Sequence, residues 1–213
     1  MKPSIRGLAA LLLLALTGCS VVPEATSDHT HYYVLTGPEP GATAARAESG
    51  GLRLGLQPVQ ISPYLNNVSV VVRRGTNELV YDDFARWAEP LDAGIGRVVS
   101  AQLRASPAVA RVLRAPLPFN QPRDYDLTLN VLRCEGVKDG ERSVAHLAVA
   151  MEITTVGDNS QVVVRRVFNA PDRAWDGRDY GTLVQALSAD VAVLGAEIVA
   201  ALPAKRPQPG PSQ

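Results

Sequence analysis

Two hydrophobic rhythms run through the chain from residue 52 onward. Leu52, Leu54 and Leu56 alternate with Arg53, Gly55 and Gln57, the period of a half-buried strand. This β-prone stretch covers residues 52–61 and is broken by Pro63-Tyr64-Leu65. Residues 68–73 and 78–81 form two further runs around Arg74-Gly75-Thr76-Asn77, a hairpin signature. Then the period changes. Leu91, Ile95, Val98, Val99 and Leu103 recur at three- to four-residue spacing, predicting a helix over 91–106 that Pro107 ends. Gly94 and Gly96 oppose that helix, each by about 1 kcal/mol relative to alanine.

Past a short strand at 110–113, alternation returns. Tyr125, Leu127, Leu129 and Val131 mark a strand over 125–134, and Ala145, Leu147, Val149, Met151 and Ile153 another over 143–155. Its antiparallel partner is 161–168, across the turn Gly157-Asp158-Asn159-Ser160. The last element is a helix with Leu183, Leu187, Val191, Leu194, Ile198 and Leu202 along one stripe. Two helices and six or seven strands predict a single α/β domain with a mixed sheet. The strands over 125–168 form a meander, and the last helix packs across a sheet face. A core accounts for every one of these apolar positions, which leaves none for a lipid groove.

The ends of the chain have another character. Lys2 and Arg6 precede an apolar run from Leu8 to Leu16, followed by Leu16-Thr17-Gly18-Cys19. A basic start, a short apolar segment and small residues before a cut describe a secretory signal over 1–18. The apolar run is too short for a comfortable membrane span, which takes about 20 residues. The four residues ending at Cys19 match the lipobox of bacterial lipoproteins, in which the thiol is acylated and the chain is cut just before it. Ser20, not aspartate, follows, which favours the periplasmic face of the outer membrane. Residues 19–31 read as a flexible leash, and 32–202 as the folded body beginning with the β-prone His31-Tyr32-Tyr33-Val34-Leu35. Residues 203–213 hold four prolines and form an extended tail.

Composition narrows the function. The 213 residues include 21 basic and 21 acidic side chains, so nucleic acid is an improbable partner. Cleavage removes Lys2 and Arg6, leaving 19 basic against 21 acidic, and no polybasic grip on headgroups. Cys134 becomes the one unmodified thiol, a small buried hydrophobe in a strand. There are three histidines. His29 and His31 sit in the leash without a third metal ligand in register, and His146 is a solvated or half-buried strand residue. No nucleophile elbow, zinc-protease helix or phosphate loop occurs, so neither cofactor nor catalytic set is implied and the chain reads as a non-enzyme.

The connection Tyr81-Asp82-Asp83-Phe84-Ala85-Arg86-Trp87-Ala88-Glu89-Pro90-Leu91 crowds aromatics, an arginine and acids between the hairpin and the first helix. Arg86, Trp87 and Glu89 are its candidate contact or structural residues. Structurally, Arg86 pairs with Glu89, Trp87 covers a core edge and Pro90 opens the helix. Functionally, Trp, Tyr and Arg dominate binding hot spots.

With Cys19, the Tyr-Tyr-Val-Leu strand, Pro63-Tyr64-Leu65, Arg86-Trp87-Ala88-Glu89-Pro90-Leu91 and Ala186-Leu187-Ser188 in that order, the chain resembles the PqiC/YmbA-type ABC-transport auxiliary lipoproteins. The resemblance covers nearly all of 19–202. It implies a small α/β domain similar in topology to the TolB N-terminal domain, anchored in the outer membrane. It also implies an adaptor role toward an MCE-domain protein of a lipid-transport system, with a possible homo-oligomer. The alternatives are a lipid-anchored periplasmic hydrolase, or a lipoprotein assisting lipopolysaccharide export or cell-wall synthesis.

Overall fold

The computed structural model describes residues 28–38, 50–118, 120–157 and 159–204. Cys19, most of the leash and most of the tail lie outside the described residues.

The spine of the fold is β7 (Tyr125–Asp139), whose fifteen residues run about 50 Å. One of its edges carries three strands end to end, all parallel to it. These are β2 (Leu52–Leu56), β3 (Gln60–Ile61) and β4 (Ser69–Arg74). Its other edge pairs along its whole length with antiparallel β8 (Arg142–Thr155). β8 pairs in turn with β9 (Val162–Asn169) and the short β10 (Arg173–Ala174), giving the expected meander. β4 forms a hairpin with β5 (Glu78–Trp87), and β5 takes β1 (His31–Tyr33) as a parallel edge strand. β6 (Val109–Arg114) closes the far edge beside β2.

The sheet therefore has ten strands among the described residues, more than the alternation predicts. β1 falls in the β-prone run at 31–35, the stretch 52–61 splits into β2 and β3, and β10, two residues long, is too short to show a period. Two helices cover one face, α1 (Leu91–Ala105) and α2 (Tyr180–Ala201). Their apolar stripes are fully buried, with Ile95, Val98, Val99 and Leu103 meeting Leu183, Leu187, Val191 and Ile198 in one core. α2 is long and apolar enough to cross a membrane, but here its apolar side is spent on this core.

β7 changes phase midway. Tyr125, Leu127, Leu129 and Val131 face the helices, as the alternation predicts. A bulge at Leu132 interrupts the pairing with β8 between Val131 and Arg133. Beyond it Cys134 takes the core side, and Arg133 and Glu135 turn to the opposite face. The bulged Leu132 carbonyl is satisfied from outside the ladder, by the Ser62 hydroxyl at 3.0 Å and the Tyr64 phenol at 3.2 Å. Pro63-Tyr64-Leu65, a 3₁₀ turn, is thus the cap of this bulge.

β5 is the main correction to the sequence reading. It does not stop at Tyr81 but continues through Trp87, so most of the aromatic connection is strand. The acidic pair Asp82-Asp83 hides this because it interrupts the apolar alternation.

Candidate interaction surface

Trp87 closes β5 with its indole in the core, 7% exposed. Its amide donates to the Val68 carbonyl at 2.7 Å, and the next amide, Ala88, donates to Tyr33 at 2.8 Å. Pro90 then stands as the N-cap of α1, where its missing amide hydrogen is no loss. Glu89 does not pair with Arg86. Its carboxylate instead takes the guanidinium of Arg97, two turns into α1, through Nε at 3.1 Å and through Nη2. The same Nη2 donates to the Leu35 carbonyl at 2.8 Å. Helical geometry explains the partner, because Arg97 rises beside the start of its own helix while Arg86 points out along β5. Arg86 donates through Nε to the Asp83 carbonyl at 2.8 Å. Of the three candidate residues, Trp87 is buried, while Arg86 and Glu89 are both half-buried.

Gly94 has its reason here. A Cβ at that position would sit 3.2 Å from the Glu89 carboxylate, so the glycine makes room for the Glu89–Arg97 pair. The segment after β1 is laced to both helices. Leu35 is 2% exposed, the Thr36 amide donates to the Ser188 hydroxyl at 3.0 Å, and Gly37 lies against Val98. Ser188 itself donates to Val184 at 2.7 Å.

Two clefts flank the N-terminus of α1. One, about 340 Å³, is lined by Leu65, Val68, Trp87 and Pro90 among others. The other, about 400 Å³, lies between Val59, Gly96 and Arg114. On the β1–β5 edge, Tyr32, Val34 and Phe84 stand in solvent. These three lie outside the strand and helix stripes whose apolar positions the core takes up. Alternation assigns a residue to one face of a strand, but an edge strand has a face with nothing packed on it.

The helix-free face carries charge. Glu135, with no exposed surface, receives Arg73 through Nε at 2.8 Å and Arg133 through Nη2 at 2.7 Å. Burial pushes its carboxyl up, but the two guanidiniums outweigh that and hold it below the usual carboxylate range. Arg73 also lies 5.5 Å from the Tyr64 ring centroid. Burial, with Glu135 beside it, pushes the Tyr64 phenol up to about 12. Sequence reading passed over this cluster, although Arg133-Cys134-Glu135 interrupting an apolar alternation signals a phase change.

Cys134 and His146 lie on opposite faces of the sheet. Cys134 is buried in the core, and desolvation pushes its thiol up to about 12. His146 faces the other way, its Nδ1 3.0 Å from Asp172, which also binds Arg142 at 2.6 Å. Among the described residues no hydroxyl or thiol is hydrogen-bonded to the imidazole. No group of three His, Cys, Asp or Glu side chains among those residues is placed to hold a metal. The arrangement offers surfaces and clefts at the corner.

Residues 33–199 match the family described as the ABC-type transport auxiliary lipoprotein component. The chain belongs to this family. It is an auxiliary lipoprotein of an ABC-type transport system, and membership implies lipid-anchored membrane association. No curated protein matches this auxiliary lipoprotein. Among solved structures it is similar to protein XCC0632 from Xanthomonas campestris, with a TM-score of 0.66 at 21% identity, covering 80% of this chain and 93% of that one. It is also similar to an uncharacterized protein, with a TM-score of 0.61 at 20% identity, covering 80% of this chain and 97% of that one. Both likenesses show the same α/β fold. A looser likeness is to a PelC dodecamer from Paraburkholderia phytofirmans, with a TM-score of 0.42 at 20% identity, covering 71% and 89%.

Proposed function

We propose that this auxiliary lipoprotein is a non-catalytic adaptor, anchored through Cys19 to the periplasmic face of the outer membrane. It holds an MCE-domain protein of an intermembrane lipid-transport system there. The observation that carries the reading is the family match over residues 33–199, joined to a lipobox ending at Cys19. Residues 1–18 are the signal removed, 19–31 the leash, 32–202 the working domain and 203–213 the tail. Tethering raises the local concentration of the domain, so a weak contact suffices to keep a conduit in place. Among the candidate residues, Trp87 and Glu89 shape the corner beside α1 that the partner docks against. The clefts beside α1 offer the concave, mainly apolar surface that a partner side chain fills. A symmetric homo-oligomer suits an oligomeric partner.

Purification of the lipidated protein from its native envelope, with mass spectrometry of the accompanying chains, tests the reading. An MCE-domain protein is expected. Recovery of a peptidoglycan synthase or of lipopolysaccharide-export components in its place contradicts it.

A further inference from the structure

Two aromatic side chains project from the β1–β5 edge, Tyr32 at 62% and Phe84 at 56% exposure. Tyr32 pairs with Arg86, and Phe84 lies two residues before Arg86 on β5, so both aromatics stand close together along the edge. Val34, also exposed, follows directly on the end of β1.

The projection of Phe84 is built into the strand. Ser69 pairs with Arg86 and Val71 with Tyr81, so Asp82, Asp83, Phe84 and Ala85 together stand opposite Val70 alone. The resulting bulge is fastened at both ends. Asp82 accepts from the Phe84 amide at 2.8 Å, and Arg86 donates to the Asp83 carbonyl at 2.8 Å. A bulge re-aims a side chain, and this one aims a phenyl ring into solvent.

The tether names the occupant. Twelve residues lie between Cys19 and Tyr32, so fully extended chain lets this edge stand at most about 45 Å from the surface that holds Cys19. β1 is the first strand after the anchor, which makes its edge the part of the sheet nearest to the bilayer along the chain. Aromatic rings suit a membrane interface, where an apolar body and a polar tip are both satisfied. Asp82 and Asp83 beside Phe84 offset the charge of Arg86, so the contact is apolar and needs no anionic lipid.

We propose that Tyr32 and Phe84 insert into the lipid surface to which Cys19 is tethered, seating the domain with its β1–β5 edge against the membrane. The proposal rests on the reading of Cys19 as acylated. The lipid chains supply the attachment, and the two rings set the orientation. A domain held this way keeps α1 and its clefts at a fixed tilt, which a leash alone cannot do.

The test uses the lipidated full chain in vesicles of phosphatidylethanolamine and phosphatidylglycerol carrying a quencher in the upper acyl region. An environment-sensitive fluorophore is placed on Phe84→Cys, on Tyr32→Cys and, as control, on Arg165→Cys. Arg165 lies on β9, five strand spacings or roughly 24 Å across the sheet from β1. Cys134 is buried and stays unlabelled. The probes at positions 84 and 32 are expected to shift to the blue and lose most of their emission, while the probe at 165 keeps its own. An unquenched probe at 84, or equal quenching at all three sites, overturns the proposal. A protein that stays off the vesicles because Cys19 carries no lipid contradicts the anchor and the proposal together. The intact mass of the protein identifies that second failure.

Discussion

Glu135 has no exposed surface, yet two guanidiniums keep it ionised. Removing the carboxylate strands both arginines, and Glu135→Ala is expected to cost about 3 kcal/mol in chemical denaturation. The pH dependence has a definite sign. Its folded-state pKa lies below the ordinary value near 4.5, so its stabilisation is complete above that value and drains away as pH falls through the folded pKa. Glu135→Gln should lack this part of the acid slope in melting curves taken from pH 6 to pH 3. Trp87 has a different weight. It is core, so Trp87→Ala is expected to lower stability by about 3–5 kcal/mol rather than to weaken a partner contact selectively. A melting transition unchanged in Trp87→Ala would show that the indole serves an interface. Cys134 should resist thiol reagents in the folded protein and react only on unfolding, followed by the rate of labelling against denaturant.

At the scale of elements, the two glycines of α1 separate local propensity from tertiary fit. By propensity alone, each replacement by alanine should gain about 1 kcal/mol. At Gly96 a Cβ meets Val59 at 3.4 Å, ordinary contact, so Gly96→Ala is expected to raise the melting temperature by about 2–4 °C. At Gly94 the Cβ presses on Glu89, so Gly94→Ala should gain little or lose stability. The comparison is read in paired thermal melts. The same contrast explains what the sequence revealed. The helical stripe of α1 and the alternation of β7 and β8 were legible because regular burial writes a regular period. The extension of β5 was not, because Asp82-Asp83 sits in a bulge where pairing, not burial, defines the strand. The phase change of β7 was half legible, since Arg133 and Glu135 leave the alternation at the residue where the bulge occurs. At the corner, Arg86, Trp87 and Glu89 were visible as a motif. Their division of labour was not, because the partner of Glu89 is eight residues away and belongs to another element.

For the whole molecule, the described residues form one α/β domain whose ten-stranded sheet carries two helices on one face. Its N-terminal strand is sewn into the body through Leu35, Thr36 and Gly37, so force on the anchor is transmitted to both helices. No thiol, imidazole and hydroxyl converge among the described residues, and the domain's exposed surfaces include an apolar corner and an aromatic edge. Family membership makes the chain an auxiliary lipoprotein of an ABC-type transport system. The most direct test is intact-mass spectrometry of the protein taken from the separated inner and outer membranes of its native cell. The account predicts a chain running from Cys19, heavier by its acyl groups and found in the outer membrane. An uncut leader, an unmodified cysteine or residence in the inner membrane would contradict it.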